Sequence, residues 1–308
     1  LALSFYIVLL LGSTVQGPPT YVSRIPDLSP PFSFVLYGDT REGQEPWREY
    51  DGDNRRRVID RILELEPAYI VNSGDLVGSG GERVSWARFD ATYAAVREKG
   101  VPYFPALGNH EYHDFGTRAL DYYFTRFPDL KGRKWYAFRA GYVQQIILDS
   151  NYRHLTDGEK AEQSAFLTKT LEAAEADASV KVVILLYHAP AYTNSLVHGP
   201  SYWSQQNFVD PAASSKKPQM HVVGHVHSYE RFTIGGGRHY IVSGGGGAPL
   251  MDVETDPKLV RVKPAFEGPK RRWHNFVHLE ALPNVLRIKV HALVDGVWQV
   301  VDQFEVAV

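Results

Sequence analysis

Apolar residues recur along this chain in two rhythms, and the switch between them outlines the fold. Phe32 to Tyr37, apolar but for Ser33, reads as the first core strand, ending at Gly38-Asp39. Residues 54–65 then change to a helical period, with Val58, Ile59, Ile62, Leu63 and Leu65 on one side, until Pro67 stops the helix. Ala68 to Asn72 returns as a strand into Gly74-Asp75, and residues 83–98 give a second helix. Val101 to Ala106 leads into Gly108-Asn109-His110. This β-α-β-α-β alternation predicts a layered α/β core. It also places polar residues at the carboxyl ends of strands, where open α/β sheets bind ligands.

The second half changes style. Trp135 to Arg139 and Tyr142 to Asp149 read as a hairpin turning at Ala140-Gly141, followed by a helix from Gly158 to Glu175. A strand over Lys181 to Leu186 precedes His188-Ala189-Pro190, and Met220 to Val223 reads as a buried strand before Gly224-His225-Val226-His227. Arg238 to Ser243, 274–281, 285–293 and 297–306 complete a mostly β C-terminal third. Two facing sheets flanked by helices is the expected architecture. The run Gly244 to Gly247 lacks the Gly-Lys-Ser/Thr that a phosphate loop needs, so it reads as a flexible turn.

Composition narrows the chemistry. With 308 residues, 44% hydrophobic, the chain suits one globular domain, placed at 32–308. A formal net charge of −2 gives no nucleic-acid-binding signature. There is no cysteine, so any metal must be held by His, Asp, Asn or Glu. Residues 1–11 are apolar and uncharged and lead into Gly12-Ser13-Thr14, which reads as a signal-peptide segment over 1–17. A buried strand or a membrane tether is the alternative, since the run is too short for a stable membrane span. Lacking an initiator Met, it suggests a truncated start. Export to the periplasm or the outside is the expectation, and Pro-rich residues 18–31 read as an extended linker.

A His-x-His pair at a strand end sets two imidazoles about 7 Å apart on one face, within reach of adjacent metal ions. Each motif taken alone has an ordinary use: a Gly-Asp is a turn, an Asn-His a cap, and His188 a loop histidine. The ordered set Asp39, Asp75, Asn109-His110, His188, His225-x-His227 resembles the calcineurin-like metallophosphoesterases. The run Gly-His-Val-His-Ser-Tyr-Glu-Arg at 224–231 resembles their purple acid phosphatase branch, and the likeness extends over residues 33–245.

That resemblance implies a four-layer α/β/β/α sandwich of two mixed sheets. It implies phosphate-ester hydrolysis by a hydroxide bound to two metal ions (Fe, Mn or Zn), on a small-molecule monoester. A phosphodiesterase or nucleotidase, and a metal- or phosphate-binding protein without turnover, are the alternatives. By motif position, Asp39, Asp75 and His227 would hold the first ion. Asp75, as a bridge, with Asn109, His188 and His225 would hold the second. His110 would contact the phosphate and act as acid. His198, ten residues after His188, is either a substrate-contacting histidine or a solvated loop residue.

Two positions depart from the family pattern. Arg41 stands where many relatives carry a histidine ligand, and Gly78 stands where the purple branch carries its tyrosine. A guanidinium stays protonated and cannot ligate a cation, so the first ion is one protein ligand short. Arg41 is read either as a clamp on a phosphoryl oxygen or as an ion-pair partner of Glu42 or Glu111. Tyr112, His113, Tyr192 and Trp203 are loop aromatics near the motifs, for which plain packing is the ordinary use.

Overall fold

The chain is described by a computed structural model over residues 17–41, 52–113, 119–268 and 272–308. Its strands are β1 (Phe32–Tyr37), β2 (Tyr69–Asn72), β3 (Tyr103–Pro105), β4 (Tyr136–Ala140), β5 (Val143–Ile147) and β6 (Val182–Tyr187). They continue with β7 (Gln219–Val223), β8 (Tyr229–Ile234), β9 (Arg238–Ser243), β10 (His274–Ala281), β11 (Val285–Val294) and β12 (Val297–Ala307). Helices α1 (Gly52–Glu64), α2 (Arg83–Thr92), α3 (Ala94–Glu98), α4 (Ala119–Arg126) and α5 (Asp157–Ala176) are joined by a short helical stretch over 202–212.

Two six-stranded mixed sheets form among the described residues. Sheet A runs β12-β11-β10-β1-β2-β3, and sheet B runs β4-β5-β6-β7-β9-β8. In sheet A, β1, β2 and β3 are parallel neighbours; in sheet B, β5, β6, β7 and β9 are. Every residue of β2, β6 and β7 is buried. Strands covered on both faces favour continuous apolar runs, clearest in β6, although β2 and β7 also bury Asn72, Gln219 and His221. The outer strand β11 does alternate, as expected where one face is wetter.

Phe34, Leu36 and Val71 of sheet A share one core with Ile184, Leu186 and Val222 of sheet B and with Val58, Ile59 and Ile62 of α1. A second core lies between sheet B and α5, where Leu167, Leu171 and Ala174 meet Val183 and Leu185. Helix α5 starts on a capping box: Thr156 and Glu159 each accept the other's backbone N–H. The expected sandwich of two sheets between helices is the observed fold.

Several local expectations need correction. The helix expected over 83–98 is two helices, because Tyr93 leaves helical geometry (φ −95°, ψ 14°). Its ring stacks on Phe89, and its hydroxyl meets that of Tyr37 at 2.8 Å. Strand β8 and helix α4 were not expected; the charges of Glu230 and Arg231 disguised β8. The glycine run 244–247 is not a flexible turn. Gly246 donates its N–H to the Gly38 carbonyl at 2.9 Å, and a Cβ on Gly244 would stand 2.7 Å from Asp39 Oδ2.

The 18–31 stretch is extended but tied down. Tyr21 is buried, Tyr103 donates its N–H to the Val22 carbonyl, and the Ser23 hydroxyl donates to Tyr103 O at 2.7 Å. The segment read as a signal peptide lies, but for Gly17, outside the described residues, as does Glu42. No helix among the described residues is long and apolar enough to cross a membrane.

Candidate metal centre

Five parallel strands release their chains at one edge of the sandwich. β1 ends just before Asp39, β2 before Asp75 and β3 before Asn109; β6 ends at Tyr187, before His188, and β7 just before His225. Three of these residues are in the left-handed region: Asp39 (φ 61°), Asp75 (φ 56°) and His225 (φ 69°). That backbone turns each side chain back over its strand end, at a steric cost only glycine escapes. Beside Asp75, Gly74 has φ 106°, and a Cβ there would lie 2.5 Å from Gly108 N, so the β2 and β3 loops touch only because the residue is glycine.

The same geometry corrects the picture of His225 and His227 on one strand face. The left-handed turn at His225 breaks the strand, and the two imidazoles meet different partners. His225 Nδ1 lies 3.2 Å from His188 Nε2, whereas His227 Nε2 lies 3.4 Å from Asp39 Oδ1.

Two overlapping groups result. Asp75, His188 and His225 converge with donor atoms within 4.8 Å of one another, and so do Asp39, Asp75 and His227. Around His188 Nε2 stand Asp75 Oδ1 at 3.3 Å, Asn109 Oδ1 at 3.1 Å and His225 Nδ1 at 3.2 Å. One proton on Nε2 can serve only one of these three acceptors, whereas a cation among them serves all four atoms. The spacing also fits: bonds of about 2.0–2.1 Å in a tetrahedral site separate ligands by roughly 3.3–3.4 Å.

Tautomers point the same way. His188 Nδ1 faces the Ser73 carbonyl at 3.1 Å, His227 Nδ1 the Pro249 carbonyl at 2.6 Å, and His110 Nδ1 the Gly78 carbonyl at 2.6 Å. Each carbonyl takes the Nδ1 proton and leaves Nε2 with a lone pair aimed inward, the arrangement that orients metal-ligating histidines. The donor set therefore fits metal ions in both groups.

Electrostatics is that of a cation site. Burial works against the Asp75 charge, but His188, His110 and Arg41 together hold its carboxyl well below the usual range. Burial lowers the basicity of His188, yet Asp75 outweighs it and lifts the imidazole to about 9; a cation bound there takes the place of that proton. Burial, with His188 and His198, pushes His225 well down, leaving a neutral ring free to donate its lone pair. Burial likewise takes His110 down to about 4.

The remaining expected residues surround these groups. Arg41 Nε lies 3.6 Å from Asp75 Oδ2, and that nitrogen is buried without a hydrogen bond. Its carboxylate partner is thus Asp75, not Glu111. His110 Nε2 is 3.8 Å from Asp75 Oδ2. The His198 ring lies 4.3 Å from that of His225, at the mouth of the site. Tyr112 and Tyr192 are packed, against His154 and Tyr240, and the His113 ring leans on His110. Trp203 does line the adjoining cleft.

Glu111 has a different role from the one expected. Its Oε2 accepts the backbone N–H of Gly108 at 2.7 Å and of Asp75 at 2.9 Å, and its Oε1 accepts those of Leu76 and Val77. One buried carboxylate thereby locks the two loops that carry Asp75 and Asn109. Burial and the Asp75 charge push it up to about 7 despite these bonds. Its place in Asn109-His110-Glu111 was visible, but nothing in the spacing marked backbone amides as its partners.

Comparison with known proteins bears on the fold and the family. A purple acid phosphatase, PPD1, from yellow lupin (Lupinus luteus) superposes with a TM-score of 0.73 at 23% identity, over 92% of this chain and 55% of that one. A dimetal phosphatase from Danio rerio gives 0.58 at 16% identity, over 90% and 99%. A Bacillus subtilis protein, YvnB, is 26% identical over 103 residues, which are 33% of this chain and 8% of that protein. The chain thus spans about half of the lupin protein and a small part of YvnB. The family model for calcineurin-like phosphoesterases matches residues 32–229, from the first strand through both histidines of the 225–227 pair, and the chain belongs to that family.

Proposed function

We propose that the protein hydrolyses phosphate monoesters at a centre of two metal ions, with Asp75 between them. Asp39 and His227 complete the first ion's ligands, and Asn109, His188 and His225 the second's. When bound, the ions lower the pKa of water and neutralise phosphoryl oxygens. The observation that carries this reading is the convergence of His188 and His227, each pinned at Nδ1 by a carbonyl, with Nε2 turned toward Asp75 and Asp39.

The surrounding side chains supply the rest. His110, its Nδ1 proton committed to Gly78, presents Nε2 to a phosphoryl oxygen. Arriving phosphate charge favours its protonated form and opposes the burial that holds it down. Arg41 neutralises charge beside Asp75 without ligating, which leaves the first ion with fewer protein ligands than the second. Burial lowers the basicity of His198, and the charge that arrives with the phosphate favours the protonated form that would donate to the departing alkoxide. The positive charge of Arg41 and a protonated His110 beside the two ions suits the doubly charged phosphoryl group of a monoester better than the single charge of a diester.

The test is to strip the protein of metal, reload it with iron, manganese or zinc, and compare an aryl monoester with the matching diester. Two equivalents of metal and faster monoester turnover are expected. A faster diester reaction would overturn the monoester assignment. No turnover of either, at full loading with any of the three metals, would overturn the enzyme reading.

A further inference from the structure

A cleft of about 590 Å³ opens from the second half of the centre, with Asn109, His188 and His225 at its inner end. That volume lies within the roughly 300–1,000 Å³ usual for small-molecule sites. Its outer walls are aromatic, formed by Tyr152, His154, Tyr202 and Trp203. Tyr152 and Trp203 stack with ring centroids 5.6 Å apart and planes at 20°. Trp203 is held edge-on by buried Phe208. Two residues along from Tyr152, His154 lies flat on Tyr112 at 4.5 Å, and the Tyr112 hydroxyl donates to buried Asp149.

Tyr152 and His154 are therefore each braced by a neighbouring ring. Tyr202, in the lining of the same cleft, is 71% exposed. A large exposed ring in the lining of a polar site marks a ligand surface.

We infer that this cleft is the leaving-group subsite and that it selects phosphate esters whose alcohol carries a planar ring, stacked on Tyr152 and Tyr202. The inference rests on the phosphoesterase reading above, because it takes the phosphoryl group to sit at the inner end. Stacking prefers a flat ring over a flexible chain, since a rigid plane loses little freedom on contact. A nucleobase and an aryl group share this chemistry.

Two pairs of substrates, each with one kind of alkoxide leaving group, test it: adenosine 5′-monophosphate against ribose 5-phosphate, and benzyl phosphate against ethyl phosphate. The ring-bearing member is expected to have at least a tenfold higher kcat/KM, on the order of what base–aromatic stacking provides. Tyr152→Ala and Tyr202→Ala should each lower that ratio severalfold, mainly through KM. Both side chains are exposed, so truncation leaves the core intact. Preference in both pairs assigns any planar ring, and preference in the first alone assigns a nucleobase. Ratios near one that the variants do not alter would overturn the subsite while hydrolysis stands. If no ester turns over, calorimetric binding of adenosine decides: binding weakened by Tyr152→Ala keeps the subsite, and absence of binding removes it.

Discussion

The two sheets contribute unlike halves to one centre. Sheet A ends in oxygen donors, Asp39, Asp75 and Asn109, and sheet B ends in nitrogen donors, His188, His225 and His227. They are also fixed largely by different means. The carboxylates are placed by backbone, through left-handed residues, a glycine contact at Gly74 and the Glu111 carboxylate beneath. His188 and His227 are placed by one carbonyl each, which sets tautomer and ring angle together; His225 alone in that half shares the left-handed backbone. A buried carboxylate needs rigid placement because nothing compensates its charge when misplaced, whereas an imidazole ligand needs chiefly its orientation defined.

The widest test of this contrast is Asp75→Asn, since Asp75 belongs to both donor groups. It should cost more than the roughly 100-fold in activity that outer-shell partners command, with loss of nearly both metal equivalents by elemental analysis. Asp39→Asn should lose one. Equal retention in the two variants would break the distinction between a shared and a single-site carboxylate.

Glu111→Gln comes next. It replaces one acceptor oxygen by an amide that faces N–H donors, so the loops under Asp75 and Asn109 shift. Metal affinity should fall roughly 10–100-fold and folding stability by about 1–3 kcal/mol. Unchanged affinity would mean that the oxygen half is not held from beneath.

A histidine outside the centre separates binding from mere burial. His221, in β7, is fully buried, and burial holds its imidazole down to about 3. The unfolded chain takes up a proton near pH 6.5 that the native one refuses, so this contribution to stability is complete above pH 6.5 and is lost as pH falls toward 3. Between pH 7 and pH 5 the loss is about 2 kcal/mol, a factor of roughly 30 in the folding equilibrium. Urea midpoints of metal-free protein at the two pH values measure it. His221→Gln should remove that increment and leave metal content unchanged.

The smallest effect concerns Arg41. Arg41→His should tighten the first ion about tenfold, in line with gaining an oriented group at the site, read by competition with a chromophoric chelator. Identical affinity in both proteins would mean that another group already completes that ion's shell.

Much of this was readable in advance, for identifiable reasons. The bounds of β1, β9 and β10 came out as expected because strands rich in β-branched and aromatic residues and closed by glycine, proline or polar residues leave little latitude. The proximity of Asp39, Asp75, Asn109, His188, His225 and His227 was readable because parallel strands bring their carboxyl ends to one edge. What was not readable depends on contacts distant in sequence. The break at Tyr93 answers to Tyr37, 56 positions away. In β8, buried Glu230 accepts from Thr193 and Asn194, and half-buried Arg231 pairs with Asp302. The left-handed turns at Asp39, Asp75 and His225 are marked only weakly by residue type: Asp and His enter that region more often than most residues, but most of them lie outside it.

Those three turns set function against stability. Each left-handed non-glycine residue costs roughly 1–2 kcal/mol, so the centre holds a few kcal/mol of strain whether or not it is working. His225→Gly would release part of it while deleting a donor, whereas Asp39 also accepts the His225 N–H and cannot be lost without unpairing it. Selection for stability alone therefore drifts toward glycine at His225 and a more durable, inert protein. Keeping the imidazole there takes continued selection for what it binds.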